Sequence, residues 1–457
     1  MLRIASNRNK DGISLSPFAY DLNEAKLILR DGEEIQLQNV ISKIKIVESI
    51  QRVATVVNIS IIDTHDFLDV FRLDGTEKIY FKITRNEPDQ EKRILERTVT
   101  IASIVDYQKP NPSTLTYTLS CVPEYAYLNQ YKTISKRVSG STKKNIFVIC
   151  NTDLKIEGDF IGFDSRGSTN FDAIIPIMKP LSAINWLLRN ADNDGTPYYF
   201  YQTANGMVRC KSKVEMNRED IHETYNNIPY FENSVPDHNS SLPEIKAYYD
   251  ELKKKIAIDR SEIKMSKYTS GAEGAYGSTI HHLDISTKKY KPEPFNFNKK
   301  NLLNKFQPIG KDSKIANQNI DKLTTGKNNF YSTNDLAFSN NGTGAQNYHH
   351  NAKSKAIANM NSHKALHDIT SQRFEIPGDF DLEAGSIINL DLLRVAEKED
   401  SMPEKSDYLN GKHLVTSIEH HFTRENYKMV VSAKKDSFIK SLDDRPIELE
   451  KETKDGT

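Results

Sequence analysis

The sequence has few cysteines and no excess of charge of either sign. Its three cysteines, Cys121, Cys150 and Cys210, are too sparse for a disulfide framework or a zinc site. They are therefore expected to be buried thiols of a cytosolic protein. Lys plus Arg and Asp plus Glu number 62 each, which argues against a dedicated nucleic-acid binder. A chain without net charge also has little self-repulsion to oppose assembly into a larger particle.

Long apolar runs and the common catalytic motifs are also missing. Residues 1–12 are polar, so no signal peptide is predicted. The apolar run 56–62 is interrupted by Asn58 and Ser60, and it is far shorter than the ~20 residues of a membrane-spanning helix. No G-x-S-x-G, P-loop or G-x-G-x-x-G motif occurs. The sequence therefore predicts no enzyme, no membrane insertion, and no catalytic, cofactor-binding or metal-binding residue.

The first part of the chain, residues 1–125, reads as a strand-rich block. Apolar and polar residues alternate along several short segments, with turn residues between them, which favours an antiparallel barrel or sandwich. Asp74–Gly75 precedes the alternating residues Ile79, Phe81 and Ile83, a hairpin signal.

The 457 residues exceed one ordinary domain, and about three domains are expected.

Helix and strand signals mix in the next block, residues 126–235. Pro180 opens a helical pattern, and the aromatic run 198–201 leads to an Asn205–Gly206 turn. This combination indicates a small α/β domain.

A second strand-rich block is predicted over residues 236–300 and 352–440, with a polar insertion at 301–351 and a charged tail at 441–457. Ser241 begins a capping box with Glu244, and residues 352–370 read as another helix. The insertion is rich in Asn, Lys, Ser and Gly, so it is expected to be a peripheral loop.

The last two strands carry the sharpest prediction, because their side chains alternate. One face is more apolar and is expected to face a core, whereas the other is charged and is expected to face solvent or a lumen. The apolar face is predicted to consist of Leu414, Thr416, Ile418, Tyr427, Met429 and Val431. The charged face is predicted to consist of Val415, Ser417, Glu419, Lys428, Val430 and Ser432.

Candidate chemistry is weak at every position considered. Three pairs of adjacent histidines occur: His281–His282, His349–His350 and His420–His421. In a regular strand the two members of each pair point to opposite faces, so they cannot both bind the same metal ion. His363 and His367 have helical metal-ligand spacing beside Asp368, but no Glu completes the motif, and solvated helix surface is expected. A glycosidase needs two buried carboxylates. Solvated turns are expected instead for Asp63, Asp66, Asp379, Asp381 and Glu383.

Several segments, taken in order, carry a resemblance to a known family. They are residues 58–83, 117–140, 180–210, 268–290 and 411–438. In this order the sequence resembles the baseplate hub proteins of contractile-tailed phages, which are related to the hub part of type VI secretion spikes.

The resemblance implies an α+β, mostly β fold, with two antiparallel barrel-like tube domains around an α/β domain. It implies a homotrimer that closes a pseudo-hexameric ring joining the tail tube to a central spike, with DNA passing non-specifically through the lumen. The implied partners also include the tape measure protein and other baseplate proteins. The implied location is the virion, after synthesis in the host cytoplasm. The resemblance supplies no catalytic residue.

Two other functions stay open from the sequence. One is a tail-tip hydrolase of the host cell wall, which lysis of peptidoglycan would reveal. The other is a receptor-binding tail subunit, which binding to host cells would reveal.

Overall fold

The computed structural model describes sixteen stretches of the chain. They are residues 16–85, 93–163, 170–191, 196–228, 231–237, 239–265, 272–284, 288–297, 302–306, 314–315, 317–319, 328–333, 350–367, 369–394, 404–424 and 426–442.

The helices are short and mostly lie between strands. They are α1 Phe67–Phe71, α2 Glu124–Tyr131, α3 Thr142–Val148, α4 Pro180–Asn190, α5 Lys213–Met216, α6 Leu242–Lys253 and α7 His350–His367. A π-helical turn, Ile149–Asp153, and a 3-10 turn, Gly158–Phe160, follow α3.

Several strands of the first half alternate between buried and half-buried side chains. They are β1 Asp21–Ile28, β2 Glu34–Gln36, β3 Ile41–Ser49, β4 Val56–Asp63, β5 Lys78–Arg85, β6 Arg93–Asn111, β7 Thr114–Val122, β8 Arg137–Ser141, β9 Ile161–Phe163, β10 Asn170–Ile174, β11 Tyr198–Gln202, β12 Val208–Ser212 and β13 Ile221–Asn226. Those of the second half are β14 Ala257–Met265, β15 Gly277–Asp284, β16 Lys289–Asn296, β17 Lys314–Ile315, β18 Gln318–Asn319, β19 Asn328–Thr333, β20 Thr370–Pro377, β21 Ile387–Asp391, β22 Gly411–Thr423 and β23 Tyr427–Lys435.

Strands of both strand-rich blocks belong to one sheet of 13 strands. Its antiparallel path runs β14-β20-β23-β22-β3-β4-β7-β6-β5-β1-β2, and β21 attaches to β22 and to the parallel strand β13. The two blocks meet where β3 pairs with β22, with Ile44 opposite Phe422 and Glu48 opposite Ile418. The prediction of a mostly β, antiparallel protein is confirmed.

The expected barrel-like tube domains are not closed barrels in this sheet. Among the described strands the path stays open, with β14 and β2 at its ends. One hydrophobic core runs across the junction, and it contains Ile46 and Ile59 together with Ile418 and Val431. The physical reason is that pairing β3 with β22 satisfies two strand edges and lets the apolar faces of the two blocks share one core.

The α/β block has its own core around α3 and α4. Pro180 occupies the first turn of α4, as predicted, and Ile184 and Leu187 are fully buried against this block's strands. The Asn205–Gly206 turn joins the antiparallel pair β11–β12, and Gly206 has the positive φ of +94° that such turns require. The predicted capping box of Ser241 and Glu244 is present at the start of α6.

The predicted hairpin at Asp74–Gly75 is wrong. Helix α1 precedes this turn, and the strand after it, β5, pairs with β1 and β6 instead of with β4. Asp63 explains the helix, because its carboxylate accepts hydrogen bonds from the backbone N–H groups of His65 and Phe67 and so starts a turn after β4.

Part of the predicted insertion at 301–351 is bonded to the rest of the protein. Strand β19 pairs in parallel with β15. The buried Leu303 donates its backbone N–H to the Asp436 carboxylate, and the Asn304 amide bonds to the carbonyl groups of Lys412 and Ser437. Residues 303–304 are therefore not a peripheral loop, and replacing the whole segment by a linker would remove these contacts.

Gly378, directly after β20, faces the ring of Tyr427. A Cβ atom at this position would lie 1.9 Å from Cδ1 of that fully buried ring. We expect Gly378→Ala to destabilise the fold by about 1–3 kcal/mol or more, since the ring has no free space to move into. Urea denaturation measures the loss.

Gly158→Ala is the matched control for Gly378→Ala. Its Cβ would meet Phe147 at an ordinary contact distance of 3.5 Å, so the denaturation midpoint should hardly change. Equal midpoints for both variants would contradict the packing described around Tyr427.

Candidate functional surface

One face of the large sheet packs on the core, and the opposite face is half-exposed. We call the second the open face. On the central strands it is formed by alternate residues that lie opposite one another across the pairing. Its members there are Lys43, Lys45, Val47, Ser49, Asn58, Ser60, Thr118, Ser120, Arg373, Ser417, Glu419, His421, Lys428, Val430, Ser432 and Lys434.

Hydroxyl groups line the middle of the open face. Ser60 lies opposite Thr118 in the pairing of β4 with β7, and their hydroxyl oxygens are 3.1 Å apart. Towards β20, a row of three serines, Ser49, Ser417 and Ser432, crosses β3, β22 and β23 and ends at Arg373 on β20. The middle of the surface is therefore polar mainly through hydroxyl groups.

Several charged groups of the open face are paired with groups of opposite sign. The carboxylate of Glu419 lies 2.8 Å from Nζ of Lys45 and 3.1 Å from Nη2 of Arg373. The ammonium of Lys428 lies 2.9 Å from Glu375. Towards β5 and β1 the pattern continues, with Lys82 beside Glu96 and Lys26 beside Glu24 and Glu34. The charged face predicted for the last two strands is therefore a surface of mixed sign.

Glu419 stays ionised at the centre of this network. Partial burial favours the neutral acid, but the hydrogen bond and charge of Lys45, together with Arg373, lower the pKa of Glu419. The neighbouring His421 also has a lowered pKa, because of burial and the positive charges of Lys43 and Lys45. At neutral pH the centre of the open face thus carries one carboxylate among several cations.

The face assignment of β22 and β23 from the sequence is confirmed with one exception. Ile418, Met429 and Val431 are fully buried, while Ser417, Glu419 and Ser432 lie on the open face. Val415 was predicted on the charged face but is fully buried. The register shifts between Val415 and Ser417, because one extra residue, Thr416, bulges from β22.

The histidine pairs behave as separate side chains where they are described. His420 is buried and hydrogen-bonds the hydroxyl of Tyr427 at 2.9 Å, whereas its neighbour His421 lies on the open face. His281 contacts the hydroxyl of Tyr290 at 2.6 Å. The side chains of His282, His349 and His350 lie outside the described residues.

His363 and His367 do not lie on a solvated helix surface, so that prediction is wrong. Both side chains are buried, and His363 Nδ1 lies 3.1 Å from Nζ of Lys213. Lys213 is itself fully buried and forms an ion pair with Asp436. Burial and the charge of Lys213 lower the pKa of His363 to about 3. Asp368 lies outside the described residues.

Four of the five carboxylates considered for glycoside hydrolysis have structural partners. Asp379 is buried between His222 and Lys253, at 3.1 and 3.3 Å. Asp381 pairs with Arg93 and Glu383 pairs with Arg209. Asp63 is also buried, contrary to the prediction of a solvated turn, because it bonds the start of α1 and the Tyr117 hydroxyl.

The three cysteines are buried free thiols, as predicted. Burial raises the pKa of Cys121 and of Cys150 to about 12, so both stay protonated at neutral pH. Within the described stretches, no group of three His, Cys, Asp or Glu side chains is placed to hold a metal. No helix among the same residues has the length and apolarity needed to cross a membrane.

The arrangement of this sheet and its α/β block is shared with solved tail proteins, one of them from a prophage. No family profile matches the sequence, and no curated protein matches it. The comparison of structures confirms, at the level of the fold, the resemblance that the sequence predicts.

Two solved tail proteins share this fold over almost their whole length. A tail protein from Neisseria meningitidis MC58 superposes with a TM-score of 0.52 at 10% identity, covering 91% of this chain and 97% of its own. The 43 kDa tail protein of prophage MuSo2 from Shewanella oneidensis superposes with a TM-score of 0.51 at 10% identity, covering 91% of this chain and 99% of its own.

Proposed function

We propose that the protein is a structural baseplate hub subunit of a phage-type contractile injection machine, joining a tail tube to a central spike. The observation that carries this proposal is the open face, a wide polar sheet surface on a fold shared with phage tail proteins. Its proposed partners are two further copies of itself, the spike, the tube, the tape measure protein and other baseplate proteins.

The open face suits the wall of a DNA channel. DNA is held by Lys and Arg groups that displace its counterions, so a channel that conducts DNA should not present such groups unpaired. Lys45, Arg373 and Lys428 each lie beside a glutamate, and the middle of the surface carries hydroxyl groups. Such a wall is hydrated but holds phosphates weakly.

Assembly into a ring is supported by a strand edge that the described part of one chain leaves open. Strand β5 pairs with β6 only from Arg93 to Thr100, and beyond Ile101 the described strand partner of β6 is β7. Ile104 and Tyr107 on this extension are 40% and 58% exposed. A neighbouring copy that covered this edge would satisfy its backbone groups and bury these side chains.

The proposed trimer is tested by native mass spectrometry and electron microscopy of the purified protein, alone and with its spike protein. We expect three chains per particle and a ring with a central opening. Tyr107→Glu should favour the monomer without changing the thermal midpoint of that monomer, because the residue is exposed within one chain. Val70→Glu, at a position 64% exposed on α1, is the matched control and should still assemble. A stable monomer even beside the spike would rule out the trimer.

The channel wall is tested separately by DNA binding. Glu419→Ser removes the partner of Lys45 and Arg373, so we expect tighter non-specific DNA binding at low salt. The slope of log affinity against log salt should become steeper by about 1–2, since one or two phosphate contacts are gained. Fluorescence anisotropy with labelled duplex DNA measures both effects.

Glu404→Gln serves as the control for the DNA experiment. Glu404 pairs with Arg394 on the exposed surface, away from the open face, and its removal should leave the salt slope unchanged. An unchanged slope for Glu419→Ser would mean that the pairing of cations does not set the affinity of this face for DNA.

A further inference from the structure

A cavity of about 350 Å³ lies where three parts of the chain meet. The end of β3 forms one wall, α4 and β11 form the second, and α7 with β22 and β23 forms the third. We call it the junction cavity. The lining residues that matter for its chemistry are Gln51, Arg189, Tyr199, Lys364, His367 and Lys434.

The charged groups among the described lining residues of the junction cavity are all of one sign. Arg189, Lys364 and Lys434 line it, and none of the described lining residues is acidic. Desolvation and the positive charge of Arg189 lower the pKa of Lys364, so the two cations are close enough to repel each other. Bringing like charges together costs free energy, and a bound anion would offset that cost.

His367 supplies a second, independent observation. Its side chain lines the cavity wall and is 4% exposed, and its Nε2 atom has no hydrogen-bond partner. A buried polar atom without a partner is unfavourable, and a bound acceptor would remove that cost. Burial and the charge of Lys213 also keep the pKa of His367 well below its ordinary value, so the ring is neutral at pH 7 and can donate one N–H.

A shallow groove leads from the junction cavity onto the open face. Both share Gln51, Thr416 and Lys434. The groove adds the guanidinium of Arg373, which Glu419 partly neutralises, and the hydroxyl group of Ser432, and both can donate to anionic oxygens. The basic character therefore extends beyond the cavity itself, and the cavity is reached along a polar path.

We propose that the junction cavity is a binding site for a small phosphate-bearing anion. Three cations match the two to three charges of a phosphate or diphosphate group better than the single charge of a carboxylate. The cavity volume lies within the usual range for small-molecule sites. Tyr198, Tyr199 and Phe200 line the same cavity and offer an apolar surface for the group that carries the phosphate. The bound anion would join the three parts of the chain that form the walls. This proposal does not depend on the role of the protein in a tail.

The test is isothermal titration calorimetry with three probes at constant ionic strength: sodium pyrophosphate, adenosine 5′-monophosphate and adenosine. We expect at least one phosphate-bearing probe to bind saturably at one site per chain and adenosine not to bind. Tighter binding of the nucleotide would identify an organic phosphate as the ligand, and tighter binding of pyrophosphate an inorganic one. Absence of saturable binding by both phosphate probes up to about 10 mM, the limit of a useful affinity, would overturn the proposal.

A pair of double variants locates the site. Arg189→Gln with Lys364→Gln removes two cavity cations whose side chains are exposed, so folding should persist and binding should weaken at least tenfold. Lys109→Gln with Lys144→Gln removes the same charge at exposed positions elsewhere and should change the affinity less than twofold. Equal losses in both double variants would show a general charge effect and would overturn the site. Thermal shifts on adding pyrophosphate should follow the same order.

Discussion

Replacing Ile418 by aspartate is expected to abolish folding. Ile418 is fully buried in the core shared by the two strand-rich blocks, opposite Val431 on β23 and Glu48 on β3. An aspartate there would bury a carboxylate with no cation to pair with, beside the carboxylate of Glu48, which is already buried. An unpaired buried charge costs several kcal/mol, a large part of the 5–15 kcal/mol that stabilises an ordinary domain. Soluble expression and circular dichroism give the result.

Glu419→Ser is the control for Ile418→Asp, because it changes the next residue on the same strand. Glu419 lies on the open face with its side chain 25% exposed, where it pairs with Lys45 and Arg373. Losing partly exposed ion pairs costs about 1 kcal/mol or less, so the variant should fold. If Ile418→Asp assembled normally while Glu419→Ser unfolded, the register of β22 would be shifted by one residue.

Side-chain alternation made this part of the fold predictable. It placed Ile418, Met429 and Val431 in the core before any partner strand was known, because a strand can bury only one of its faces. It failed at Val415 because a bulge depends on the neighbouring strand. The carbonyl of Thr416 accepts hydrogen bonds from the backbone of Ile50 and the hydroxyl of Ser49, and no local pattern in β22 indicates these distant donors.

The joining of the two strand-rich blocks was not predictable for a related reason. Residues Ile44 and Phe422 are paired although they stand at opposite ends of the chain. Each strand alone has the pattern of a half-buried strand, and that pattern does not specify its neighbour. The same alternation of buried and exposed residues therefore fits either two barrels or one shared sheet. Only the pairing of β3 with β22 distinguishes the two arrangements.

The open face was predictable only on its last two strands. There the charged residues Glu419 and Lys428 made the exposed side visible in the sequence. On β4 and β7 the side chains also alternate, and Ser60 and Thr118 lie between fully or nearly fully buried residues. These polar residues carry no charge, so they did not mark an exposed face in the sequence. The junction cavity had no usable signal, because Arg189, Lys364 and Lys434 come from three separate elements.

The buried histidines of α7 show where helical periodicity fails. Nearly every described side chain from Ala358 to His367 is buried, including the polar Ser362 and His363. A helix buried on most sides has no polar face to contrast with an apolar one. Its histidines face a polar interior, where Lys213 and Asp436 form a fully buried ion pair. That pair brings together residues from α5 and from just after β23.

Replacing Lys213 by methionine is expected to cost about 3–5 kcal/mol, because it leaves the carboxylate of Asp436 buried without its counter-charge. Two polar partners would remain, the backbone N–H of Leu303 and the hydroxyl of Ser437, and they are too weak to replace an ammonium group. Denaturation in urea measures the loss as a lower midpoint with an unchanged slope.

The double variant Lys213→Met with Asp436→Asn tests whether charge imbalance causes the loss. The asparagine oxygen can still accept the N–H of Leu303, and neither position is charged, so most of the stability should return. A coupling free energy of at least about 2 kcal/mol is expected from the two single variants and the double variant. If the losses of stability in the two single variants simply added up to the loss in the double variant, the ion pair would not stabilise either partner.

Acid unfolding provides an independent measurement on the same ion pair. Although burial alone would raise it, the charge of Lys213 and the hydrogen bond from its ammonium group lower the pKa of Asp436 below its ordinary value. An acid with a depressed pKa stabilises the fold above the unfolded pKa of about 3.9, and this contribution is lost as the pH falls below it. The wild-type protein should therefore lose stability between about pH 5 and pH 2 more steeply than the double variant, which lacks this carboxylate. Asp379 titrates in the same range and is present in both proteins. Its contribution therefore cancels when the acid profile of the double variant is subtracted from that of the wild-type protein. Identical acid profiles for the two proteins would show that Asp436 does not depend on Lys213 for its charge.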